Sequence, residues 1–105
     1  MNRKEQLMSY LKSDSSNSFL LFAIAKECES ENNLDDALAW YQNLVETDPG
    51  YTGVYYHFGK LLEKMNSNQA AKEVYQKGIE VCQQKNDFHA ASELRNAIMN
   101  LLMED

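Results

Sequence analysis

The sequence predicts an all-α fold: antiparallel helix-hairpin repeats stacked as a short α-solenoid of about six helices. Three observations carry this. Apolar residues recur at helical spacing, as in Leu21, Ile24, Ala25 and Cys28, and again in Tyr55, Phe58, Gly59 and Leu62. The chain matches itself when slid by about 34 residues. Turn punctuation is sparse, with one proline and four glycines in 105 residues, too little for a sandwich or barrel.

The self-match is residue by residue. Lys26 falls on Lys60, Glu29 on Glu63, Asn32 on Asn66, Ala37 on Ala71, Tyr41 on Tyr75, Gln42 on Gln76 and Glu46 on Glu80. Similar residues fill the gaps, among them Phe22 with Tyr56, Ile24 with Phe58, Ala25 with Gly59 and Val45 with Ile79. Small meets small and large meets large, as stacked copies of one unit require.

The elements follow in order within one domain over 1–105. Residues 3–13 read as a leading helix, because Leu7 and Leu11 fall in phase with Tyr41 and Val45. Ser13, Ser15, Ser16 and Ser18 make a polar connector with turn and cap chemistry. Residues 18–51 form a first repeat. Asn32-Asn33 separates its two helices, Asp35-Asp36 suits the second helix's N-terminal dipole, and Pro49-Gly50 ends it. Residues 52–85 form a second repeat, divided at Asn66-Ser67-Asn68. Gln83 stands where a closing proline would be, so its last helix is expected to run on toward Lys85. Residues 86–105 read as a closing helix with Asn86 or Asp87 at its N-cap and a buried stripe of Phe88, Ala91, Leu94, Ile98, Leu101 and Leu102. Trp40 is expected in the core.

A net charge of −6 with no run of Lys and Arg argues against nucleic acid, whose phosphates demand a basic patch. The longest apolar stretch, Phe19 to Ala25, is too short to span a membrane. Met1 to Lys12 lacks the apolar core of a signal peptide, so the cytoplasm is the expected location. Cys28 and Cys82 have no C-x-x-C spacing and read as buried free thiols. No catalytic constellation is present: His57 and His89 are the only imidazoles, and no nucleophile elbow or phosphate loop occurs. His89 and Glu93 share a helix face but fall short of a metal site. No cofactor, metal ligand or enzymatic role is expected.

The residues resemble the tetratricopeptide-repeat family, whose pattern is W-x2-L-G-x2-Y, then A-x3-F, then P. The first copy reads Leu21-x2-Ile24-Ala25-x2-Cys28, Ala37-x3-Tyr41, Pro49; the second reads Tyr55-x2-Phe58-Gly59-x2-Leu62, Ala71-x3-Tyr75. Cys28 in place of an aromatic and Gln83 in place of proline are departures. The resemblance implies a concave face, lined by the first helix of each repeat, that holds a protein or peptide. Carried over by position, that face includes Phe19, Phe22, Lys26 and Glu29, then Gly53, Tyr56, His57, Lys60, Glu63 and Lys64. The family's clamp for chaperone-tail carboxylates is not expected: Phe22, Lys26 and His57 stand where its first Lys and Asn residues belong. The alternative expectation is a homodimer formed through Leu101, Leu102 and Met103 of the closing helix.

Overall fold

The computed structural model describes residues 2–104, and among them every regular element is an α-helix. The chain divides into two compact units, one ending at Pro49 and one beginning at Gly50.

The first unit holds α1 (Arg3–Ser13), α2 (Ser18–Ser30) and α3 (Leu34–Thr47), with α1 against α2 and α2 against α3. Its core is Leu7, Leu20, Leu21, Ala23, Ile24, Ala25, Cys28, Ala37, Tyr41 and Leu44. Asn2 and Asn17 cap α1 and α2 by accepting from the backbone N–H groups of Glu5 and Leu20 at 2.8 and 3.0 Å. The Ser18 hydroxyl, at the start of α2, donates to Asp48 just beyond α3 at 2.6 Å and so closes the hairpin. Trp40 is half-buried rather than in the core.

The second unit holds α4 (Val54–Lys64), α5 (Asn68–Gln84) and α6 (Phe88–Met103); α5 lies against both neighbours, and α4 also meets α6. With no proline to stop it, α5 reaches 17 residues against 14 for α3. The closing hydrogen bond moves accordingly. Thr52, one repeat on from Ser18, donates to Asp87 at 2.9 Å. Gly59 and Gly78 sit where helices approach closely. A methyl group on Gly59 would collide with the Tyr75 ring, and one on Gly78 would stand 2.5 Å from the Tyr55 Cβ and 2.8 Å from a Leu94 methyl.

Three turns share one design. Asn32, Asn66 and Asn86 take φ of 59°, 61° and 60°, the left-handed region that asparagine tolerates best after glycine. In each turn the next residue's N–H reaches back five residues at 2.8 Å: Asn33 to Cys28, Ser67 to Leu62 and Asp87 to Cys82. The asparagine N–H groups bond to Glu29, Glu63 and Gln83, completing a helix-ending motif that satisfies otherwise orphaned carbonyls. Asn86 therefore ends α5, and Asp87 alone is the N-cap of α6, accepting from Ala90 N–H at 3.2 Å.

The stripe on α6 differs from expectation. Ala91, Leu94, Ala97 and Leu101 are buried, whereas Phe88 and Leu102 are 65% and 64% exposed and Ile98 is half-buried. Ala91 takes up the position of Ala37 and Ala71 after its turn, and this sets the phase of the helix. His89 and Ser92 then face solvent, as polar residues should.

Candidate functional site

None of the residues expected on the binding face is buried. In the first unit, Phe19 is exposed, while Phe22, Lys26 and Glu29 are half-buried on α2. The Phe22 ring lies 6.3 Å from that of Tyr41, tilted by 54°. The Tyr41 hydroxyl donates to the Glu29 carboxylate in a short hydrogen bond. The second unit repeats this bond one period later, from Tyr75 to Glu63. Burial and the neighbouring carboxylate both push the two phenols well above their ordinary range, so each stays a donor. Glu29 and Glu63 thus fasten the second helix of each repeat to the first.

α4 buries Val54, Tyr55, Phe58, Gly59, Leu61 and Leu62, which leaves Lys60 and Lys64 exposed and Tyr56, His57 and Glu63 half-buried. Gly53 is exposed just before the helix, with open space around it. The Lys60 ammonium stands 5.9 Å from the centroid of the Tyr56 ring, within cation–π range, and 3.6 Å from Glu63. The His57 ring meets Tyr56 edge-on at 5.6 Å.

The structure adds what the sequence did not reveal. Tyr56 and Lys60 form one wall of an open cleft of roughly 180 Å³, and α6 forms the other with Glu93, Asn96, Ala97 and Asn100. These four recur at i, i+3, i+4 and i+7, so one face of α6 supplies them all. That spacing was available in the sequence, but polar residues at helical period more often mark a solvated face. His57, Glu63 and Lys64 lie on the same helix outside the cleft lining.

Little points to chemistry. Cys28 and Cys82 are free and buried, and desolvation pushes both thiols up, away from the reactive thiolate. Among the described residues no group of three or more His, Cys, Asp or Glu is placed to hold a metal ion, and no helix is long and apolar enough to cross a membrane. His89 lies 3.4 Å from Glu93 on an exposed face.

Comparison with known proteins supplies the wider setting. The tetratricopeptide repeat family matches residues 52–85. No curated protein matches the chain. Among solved structures, a tetratricopeptide repeat domain protein from Salinibacter ruber, determined in solution, is 38% identical with a TM-score of 0.81, over 84% of this chain and 90% of that one. Its crystal structure gives 38% identity and a TM-score of 0.78, covering 83% and 98%. A protein from Bordetella parapertussis, 24% identical, shares the fold with a TM-score of 0.85 over 100% of this chain and 91% of that one.

Proposed function

Since the chain belongs to the tetratricopeptide-repeat family, whose members generally serve as protein-interaction modules and are typically non-catalytic, we propose that it is an adaptor that holds a partner protein or peptide on the first helix of each repeat. The observation that carries this reading is the α4 wall of the cleft. Tyr56 offers aromatic area and Lys60 a cation beside open space, a combination frequent where proteins bind each other. In the first unit Phe19, Phe22, Lys26 and Glu29 occupy the corresponding helix, and in the second His57, Glu63 and Lys64 flank the cleft residues. The two free cysteines suit a reducing compartment, and the cytoplasm is the proposed setting.

The test is affinity capture from lysate of the native host with the wild-type chain beside a Tyr56→Ala, Lys60→Glu double variant whose helicity is checked by circular dichroism. A partner held by the first and lost by the folded variant supports the adaptor reading. Equal retention by both removes it.

One observation favours a second reading. Phe88, Met99, Leu102 and Met103 are exposed apolar residues on α6, three of them within its last two turns. Such a surface suits self-association, and sedimentation velocity over a dilution series distinguishes a homodimer from a monomeric adaptor.

A further inference from the structure

We propose that the outward face of α6 takes up an amphipathic helix of a partner protein, with one carboxylate of that helix held by Arg95. The adaptor reading above concerns α4 and the cleft-facing flank of α6. This proposal adds a second contact surface on a different face and does not depend on the first.

Spacing defines the face. Phe88, Ser92, Arg95, Met99 and Leu102 follow one another at intervals of four, three, four and three residues, and all five are exposed. That alternation keeps them on one side of the helix and is the seam along which a second helix packs. It is separate from Ala91, Leu94, Ala97 and Leu101, which α6 buries in the core, and from Glu93, Asn96 and Asn100, which line the cleft. Large exposed apolar side chains concentrate here: of the seven among the described residues, Phe88, Met99, Leu102 and Met103 belong to this one helix. A concentration of this kind marks a contact surface.

Length and backbone chemistry select a helix as the occupant. From Phe88 to Leu102 the seam runs about 21 Å at 1.5 Å per residue. A helix of four turns laid along it covers the whole stripe. A strand has nothing to pair with, because the main-chain groups of α6 already bond to one another within the helix.

Charge selects the kind of helix. Arg95 stands at the middle of the seam. Its neighbours one turn away are Ala91, Ser92, Ile98 and Met99, none of them an acid. Among the described residues it has neither an ion pair nor a hydrogen bond, whereas His89 and Glu93 on the opposite flank lie 3.4 Å apart. A guanidinium fork bordered by apolar side chains is matched by a carboxylate, which accepts from it in two parallel bonds. The same residue disfavours a second copy of this chain, since an antiparallel pairing about the middle of the seam sets the two Arg95 side chains against each other. The net charge of −6 disfavours a strongly acidic partner. The fitting occupant is therefore a neutral or basic amphipathic helix with a single acid midway along its apolar seam.

The test is a 15N NMR titration of the full chain. The probe is a blocked peptide of alanine and glutamine, with leucines at alternating intervals of four and three and one glutamate at the centre of that seam. A second peptide carries lysine in place of the glutamate. The glutamate peptide is expected to give saturating shifts of the α6 amides and of the Arg95 Nε–H. It should bind at least about fivefold more tightly than the lysine peptide at low salt. Arg95→Glu changes an exposed side chain and should reverse the preference. Leu102→Glu should weaken both peptides and leave the spectrum elsewhere as in the wild type. The Tyr56→Ala, Lys60→Glu variant should bind as the wild type does, so failure of the concave-face reading leaves this one standing. Equal binding of the two peptides, or a preference that Arg95→Glu leaves unchanged, overturns the proposal, as does silence of α6 toward both. If sedimentation velocity shows wild-type dimers that the glutamate peptide does not dissociate, a second copy holds the face and the proposal falls.

Discussion

Gly78 of α5 faces Tyr55 of α4 so closely that a Cβ on the glycine would stand 2.5 Å from the tyrosine Cβ. An alanine there gains up to about 1 kcal/mol of helix propensity. It must also displace an atom next to the main chain, and overpacking of this kind costs about 1–3 kcal/mol. Gly78→Ala is expected to destabilise the protein by a net 1–2 kcal/mol or so, read from urea denaturation. Gly59→Ala meets the Tyr75 ring instead, the far part of a side chain. The first repeat already carries Ala25 at the matching position and keeps its Tyr41–Glu29 bond. Gly59→Ala should therefore cost less than Gly78→Ala, and the opposite ranking would show that the ring is the stiffer obstacle.

The paired bonds Tyr41–Glu29 and Tyr75–Glu63 make stability fall in alkali. Folding raises both phenol pKa values above the ordinary value of about 10. The unfolded chain then releases these protons first, so the native state binds more of them, and stability must decline as pH rises. The contribution is complete below about pH 10 and is lost progressively above it. Thermal melts between neutral pH and strong alkali should show this decline. Tyr75→Phe should make it shallower while costing about 1–3 kcal/mol at neutral pH. An unchanged slope in the variant would mean that the decline comes from other groups.

Asp87 makes two bonds, accepting from the Ala90 backbone and from Thr52 across the hairpin. Ser67, at the corresponding turn between α4 and α5, makes no side-chain cap bond. Asp87→Ala is expected to cost about 1–2 kcal/mol. Ser67→Ala should stay within about 0.5 kcal/mol, the usual range of a surface change. Thr52→Val isolates the bond across the hairpin from the cap. If it is silent while Asp87→Ala is costly, the aspartate acts only through the end of α6.

The repeat was legible because it rests on local requirements that recur: a small residue where helices approach, an asparagine where the backbone turns left-handed, an aromatic in the second helix. The role of Glu29 and Glu63 was not, since an isolated glutamate at helical spacing looks like any solvated charge. A signal existed in the tyrosine that follows each glutamate by twelve residues in both copies. The Asp87–Thr52 bond escaped for another reason, although Asp87 was already a candidate N-cap. The longer α5 carries the acid that bonds Thr52 five residues past the place where the repeat period would put it, so an alignment by period alone pairs the wrong residues. The cleft needs α4 and α6 side by side, and no periodicity within either helix reports that.

The phase of α6 decides how self-association is tested. Leu101 is 8% exposed and Leu102 is 64% exposed. A charge at Leu101 would be buried among Ala97, Leu94 and their neighbours without a partner, at a cost of several kcal/mol, so Leu101→Glu is expected to unfold the second unit. Leu102→Glu places its carboxylate in water and should leave helicity and melting temperature nearly unchanged. In sedimentation velocity, a dimer formed through the exposed α6 face should dissociate in Leu102→Glu at concentrations where the wild type remains associated. Paired Phe88→Ser and Met99→Ser substitutions should reproduce the effect without adding charge. A wild type that stays monomeric at high concentration, or a dimer indifferent to all three changes, would remove self-association through α6 and leave its exposed stripe to a partner helix.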